Sequence, residues 1–96
     1  MSSESRTWTF LTNHTQVLLC VAQNPEVRLR EMAETIGITE RAAQRLMADL
    51  VETGYVRRTR VGRRNRYTVD RERTMRHAAQ DGQEVGRLLD LFRAGD

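Results

Sequence analysis

The chain reads as a mainly α-helical domain that carries one β-hairpin wing and ends on a further apolar helix. Three observations predict this. Residues 29–48 hold small and apolar side chains at the offsets of two short helices packed across a tight turn. Residues 57–66 hold six arginines and no acid around Gly62, the pattern of a basic two-stranded ribbon. Val85, Leu88, Leu89 and Phe92 repeat at i, i+3, i+4, i+7, which is one stripe of a helix.

The elements follow in order. Residues 1–7 are polar and predict a mobile tail. Trp8, Phe10 and Leu11 form a small apolar cluster before the first helix, with Trp8 read as a packing anchor. Thr12 or Asn13 caps that helix, which runs to about Gln23 and buries Val17, Leu18, Val21 and Ala22. Asn24-Pro25 ends it. Val27 to Leu29 is expected as a very short strand. The second helix covers about Arg30 to Ile36, and the third runs from a Thr39 cap to about Thr53. Ala43, Leu50 and one of Leu46 and Met47 face inward on the third helix. Gly54 ends it. Tyr55–Arg60 and Asn65–Val69 are the expected strands, residues 61–64 the tip, and Tyr55, Tyr67 and Val69 the anchors to the body. Residues 71–80 show no clean period and read as a connector. Asp81 to Glu84 has the spacing of a capping box with Asp81 as the cap, followed by the last helix within residues 81–96. Residues 8–70 thus make one domain with a C-terminal helix appended.

The 96 residues suffice for one small core, and a hydrophobic content of 39% leaves little to spare. The net charge of +3 conceals an asymmetry: residues 57–66 carry +6, while the remaining ten basic and thirteen acidic residues sum to −3. A local positive patch on a slightly acidic body fits an anionic partner at one place. Every basic residue is arginine, even at surface positions, which codon bias explains without a functional reason. The single cysteine excludes an internal disulfide framework and fits a reducing compartment. No apolar run approaches a membrane span, and residues 1–7 lack a signal-peptide core, so the expected location is cytoplasmic, with no membrane partner.

The central pattern is specific because the close approach of two short helices makes several demands at once. It needs a small residue, here Ala33, and a residue tolerant of positive φ, here Gly37. It also needs a shared apolar set, here Met32, Ile36, Ile38, Ala43 and Leu46. All fall in one window, as in a helix-turn-helix. With the basic hairpin downstream, the chain resembles the winged helix-turn-helix regulators grouped with the MarR and ArsR families. It is similar in particular to small bacterial proteins carrying stretches like Gly37–Arg45, Glu52–Val56 and Gly62–Tyr67. The resemblance spans about residues 8–92. It implies a dimeric transcription regulator whose third helix enters the major groove while the wing follows the backbone or minor groove. The chain departs from MarR-like proteins in having one short C-terminal helix instead of long dimerisation helices at both ends.

Side-chain chemistry assigns candidate roles within that expectation. Helices of this kind read bases with their N-terminal residues. Arg41 and Arg45 can each form a bidentate pair with guanine, Gln44 can pair with adenine, and Glu40 can accept from cytosine or simply favour the helix N-terminus. Thr39, Arg58, Arg60, Arg63, Arg64 and Arg66 are the candidates for DNA backbone or minor groove, with two to four of the wing arginines expected to reach it. Arg28 and Arg30 are secondary phosphate candidates. Val85, Leu88, Leu89 and Phe92 are expected at a homodimer interface, because a three-helix winged domain already closes its own core. An effector, if the regulator has one, is expected at that interface. Cys20 is expected to be a buried, inert thiol, and His14 and His77 stand apart, so neither metal nor cofactor is expected. No arrangement suits catalysis. The leading reading is a repressor acting as a homodimer on double-stranded DNA at a near-palindromic operator. The alternatives are a non-specific architectural nucleic-acid-binding protein and a winged-helix protein–protein module.

Overall fold

The computed structural model describes residues 8–93. The expected tail at residues 1–7 lies outside them. Three helices come first: α1 (Asn13–Gln23), α2 (Leu29–Ile36) and α3 (Glu40–Glu52). A hairpin of β1 (Val56–Val61) and β2 (Arg64–Val69) follows, then a 3-10 turn at Ala78–Gln80 and α4 (Val85–Asp90).

Local chemistry sets the boundaries of the three main helices. The Thr12 hydroxyl accepts from the Thr15 N–H at 3.3 Å and caps α1. At the start of α2 the Glu31 carboxylate accepts from the Arg28 N–H at 3.4 Å. Gly37 closes α2 at φ +88, which lets the Ala33 carbonyl accept from both Gly37 N–H (2.8 Å) and Ile38 N–H (3.0 Å). The Thr39 hydroxyl then accepts from the Ala42 N–H at 3.0 Å and starts α3. Gly54, also at φ +88, ends α3, and Tyr55 N–H reaches back to the Leu50 carbonyl at 2.9 Å.

One core joins every layer. Val17, Leu18 and Val21 of α1 meet Met32 and Ala33 of α2 and Ala43, Met47 and Leu50 of α3. Tyr55, Val56 and Tyr67 anchor the hairpin, and Val85 and Leu89 add α4 to the same cluster. Met47 is the inward residue of the Leu46–Met47 pair, and Leu46 is half-buried.

The structure corrects four expectations. Ala22 is exposed and lines two open clefts, while its neighbour Val21 takes the buried position in that turn. Val27–Leu29 forms no strand: Leu29 already belongs to α2, and the segment before it meets the hairpin through one main-chain bond, Tyr67 N–H to Pro25 carbonyl at 2.8 Å. Asp81 does not cap α4. It ends the 3-10 turn in a left-handed conformation (φ 41, ψ 62), and Glu84 stands at the N-cap. The cause is pairing beyond local range. Thr74 bridges to Glu84, and Met75 N–H donates to the Gln83 carbonyl at 2.8 Å, which holds residues 83–84 extended. Trp8 is no packing anchor: it is 63% exposed and meets Phe10 edge-on at 5.1 Å between ring centres.

The connector is tied to the body. The Tyr55 hydroxyl donates to the Thr74 carbonyl, Asp70 N–H to the Tyr55 carbonyl (2.9 Å), and Gly86 N–H to the Arg71 carbonyl (2.9 Å). The Arg71 guanidinium donates to the Asp90 carboxylate at 2.6 Å and to the Gly86 carbonyl at 3.1 Å. These bonds dock α4, only six residues long, far below the length at which a helix stands alone.

Candidate nucleic-acid interface

The inward turn of Ala43, Met47 and Leu50 presents the opposite face of α3 to solvent. Glu40, Arg41, Gln44 and Arg45 are all exposed, and they occupy the first two turns. The i, i+3, i+4 relation places Arg41, Gln44 and Arg45 on one strip. The Thr39 oxygen is engaged in the cap, which leaves its hydroxyl proton free to donate outward.

The register of the hairpin sorts the arginines. Val56 pairs with Val69, Arg58 with Tyr67 and Arg60 with Asn65, so these six side chains share one face. That face is buried at its base, where Val56 and Tyr67 join the core, and exposed beyond it. Arg57, Thr59, Val61, Arg64, Arg66 and Thr68 share the other face. Gly62 and Arg63 form the two-residue tip, with positive φ (63) at Gly62 and not at Arg63, the φ signature of a type II′ turn. The strands therefore run one residue closer to the tip than the sequence suggests.

The six arginines of the hairpin are all exposed, yet they are not equivalent. The Arg64 guanidinium donates to the Glu26 carbonyl at 3.3 Å, which ties the wing to the loop ahead of α2. Arg60 Nε turns back to the Gly62 carbonyl at 3.4 Å. Among the described residues the guanidinium groups of Arg58, Arg63 and Arg66 have no hydrogen bond or ion pair, and the same holds for that of Arg57, which the candidate set omits although it shares a face with Arg66. Its signal in the sequence is the two-residue alternation from Arg66 across the register.

A cleft of about 820 Å³ lies between the start of α2, the first residue of α3 and the tip of the wing. Arg28, Arg30, Arg63 and Arg64 line it together with Glu26, Glu31, Glu34 and Glu40. Arg28 and Arg30 thus sit beside the wing arginines Arg63 and Arg64. Four arginines and four glutamates leave the cleft with a mixed charge, unlike the outer face of the wing.

The far side of the molecule differs. His14 Nε2 and Asp49 Oδ2 meet at 2.8 Å and join α1 to the C-terminal half of α3. Cys20 is half-buried, and burial pushes its thiol up, away from a reactive thiolate. Among the described residues no three His, Cys, Asp or Glu side chains come together as metal ligands. No described helix is long and apolar enough to cross a membrane.

The stripe on α4 divides. Val85 and Leu89 are buried in the core of their own chain, Leu88 is half-buried, and Phe92 is 43% exposed just past the helix. Leu91, outside the expected set, is 76% exposed. The expectation that the stripe is spare surface fails for Val85 and Leu89, because the docked connector leaves α1 and the hairpin base open to α4.

Comparison with known proteins gives one match. The family model described as "MarR family" matches residues 9–66, from just before α1 into β2. No curated protein and no solved structure matches the chain. The matched span covers more than half of the sequence and contains the whole helix-turn-helix and most of the wing. The chain therefore belongs to the MarR family of winged-helix, DNA-binding transcriptional regulators.

Proposed function

We propose that this protein is a sequence-specific repressor that acts as a homodimer on a near-palindromic operator. One observation carries the reading: the exposed strip Arg41, Gln44 and Arg45 stands on the first turns of α3, while the same helix spends Ala43, Met47 and Leu50 on the core. Arginine and glutamine are the side chains that pair bidentately with guanine and adenine in the major groove. Glu40 flanks the strip and accepts from cytosine or holds the helix N-terminus. The exposed arginines Arg58, Arg63 and Arg66 then contact phosphates or a narrow minor groove, with Arg60 and Thr39 beside them. Two protomers related by a two-fold axis would present their α3 helices to half-sites about one helical turn apart. Leu88 and Phe92, with Leu91, are the apolar side chains that α4 leaves for the partner.

The test is selection of random duplex DNA on the purified protein at near-physiological salt, followed by binding of the enriched duplex. A near-palindrome should emerge. Arg41→Ala combined with Gln44→Ala should abolish discrimination between that duplex and random DNA while residual, salt-sensitive affinity persists. Retention without enrichment would replace the proposal with architectural binding, and discrimination that survives the double substitution would remove α3 as the reader.

A further inference from the structure

Trp8 and Phe10 stand 63% and 91% exposed as an edge-on aromatic pair, although a chain of this size has few large apolar groups to spare. A cavity of about 580 Å³ opens between α1, the end of α3, the connector and α4. Its apolar lining includes Leu18, Leu50, Met75, Val85 and Leu88. Its rim begins at Thr12, only two residues after Phe10.

We infer that the occupant of this cavity is the Trp8–Phe10 pair of a second copy of the chain. The inference rests on the homodimer reading above and deepens it by naming the contact. A projection and a matching hollow that adjoin on one surface satisfy each other twice about a two-fold axis and close the assembly at two copies. Were they on opposite sides, the same match would build an open chain. The size fits as well. An aromatic side chain carries roughly 150–250 Å² of surface. Scaled by the two exposures, the pair offers roughly 300 Å² per protomer. Two such pairs remove roughly 600 Å² from water, and the walls they cover add to it, toward the roughly 1,000 Å² that a specific interface needs. Leu88 lines the same cavity, so the contact is continuous with the surface α4 offers to a partner. The thioether of Met75 gives the incoming rings a favourable sulfur contact. The cavity lies against the C-terminal half of α3, so the contact leaves the reading strip uncovered.

Trp8 is the only tryptophan, which makes intrinsic fluorescence a direct reporter. The experiment combines sedimentation over a dilution series with the emission of Trp8 for the full chain, Phe10→Asp and Thr15→Arg. The first substitution puts a charge on the projection and the second a bulky cation on the cavity rim; far-UV circular dichroism verifies that both variants fold. The wild type should be a dimer with short-wavelength emission that moves to the aqueous position on dilution. Both variants should weaken the dimer by roughly tenfold or more and show aqueous emission at concentrations where the wild type is paired. A wild-type dimer with aqueous Trp8 emission, or a dimer that either variant leaves intact, overturns this contact and leaves the homodimer standing. A wild type that is monomeric throughout overturns both.

Discussion

Gly37 and Gly54 hold the same backbone conformation, φ +88, but in different surroundings, and that pairing allows one stabilising contact to be weighed. A Cβ at Gly37 would meet nothing within 4 Å. Alanine there costs only the left-handed backbone, about 1–2 kcal/mol. A Cβ at Gly54 would lie 2.9 Å from the Arg73 guanidinium carbon, so the guanidinium must move. In the native chain that carbon lies 5.7 Å from the centre of the Tyr55 ring. Displacing it forfeits an exposed cation–π contact, about 0.5–1 kcal/mol. Gly54→Ala should therefore cost about 0.5–1 kcal/mol more than Gly37→Ala, and a difference of that size moves Tm by several degrees at about 4–8 °C per kcal/mol. Urea unfolding of the two variants in the native and Arg73→Ala backgrounds completes the cycle. With Arg73 removed, the two alanines should cost the same to within about 0.5 kcal/mol. A gap that persists without Arg73, or a Gly37→Ala variant as stable as wild type, would refute the reasoning.

Two further outcomes are expected. Because the Arg63 guanidinium at the tip has no partner among the described residues while Arg64 donates to the Glu26 carbonyl, Arg63→Ala should lower the slope of log affinity against log salt by about one, whereas Arg64→Ala should weaken binding with the slope unchanged; titrations of one duplex at several salt concentrations measure both. The hydrogen bond from Arg71 and the charges of Arg71 and Arg93 hold the Asp90 carboxyl below its usual range despite partial desolvation. A lowered carboxyl pKa stabilises the fold above the ordinary carboxylate range, and the contribution is lost as pH falls through the lowered value. The stability gap between wild type and Asp90→Asn in urea should therefore close on acidification, and a gap that stays constant with pH would show the ion pair to be idle.

The helix-turn-helix was legible because its determinants are local. Gly37, Thr39 and Ala33 each act within a few residues, through a positive φ, a cap and a small side chain. The wing was legible from Gly62 and from alternation, although both strands run one residue nearer the tip, because the two-residue turn at Gly62 and Arg63 lets Val61 pair with Arg64. What stayed hidden depends on partners far along the chain. Asp81 to Glu84 has the spacing of a cap, but Thr74 and Met75 recruit Gln83 and Glu84 first, and no local pattern records that competition. The outward strip of α3 followed from periodicity, yet Leu46 and Met47 differ by 100° around the helix and only the position of α1 decides between them. The engagement of Arg64 was equally invisible, since its acceptor is a backbone carbonyl that any residue at position 26 would supply.

The wing is fastened at its outer edge, where Tyr67 N–H and the Arg64 guanidinium hold the carbonyls of Pro25 and Glu26, in the loop that leads into α2. Both bonds oppose a change in the spacing between the ribbon and the helix pair. A spacing held in this way would leave the duplex to supply part of the fit. Base steps that the protein never touches would then count in the choice of site, through the groove width they favour and the work needed to bend them.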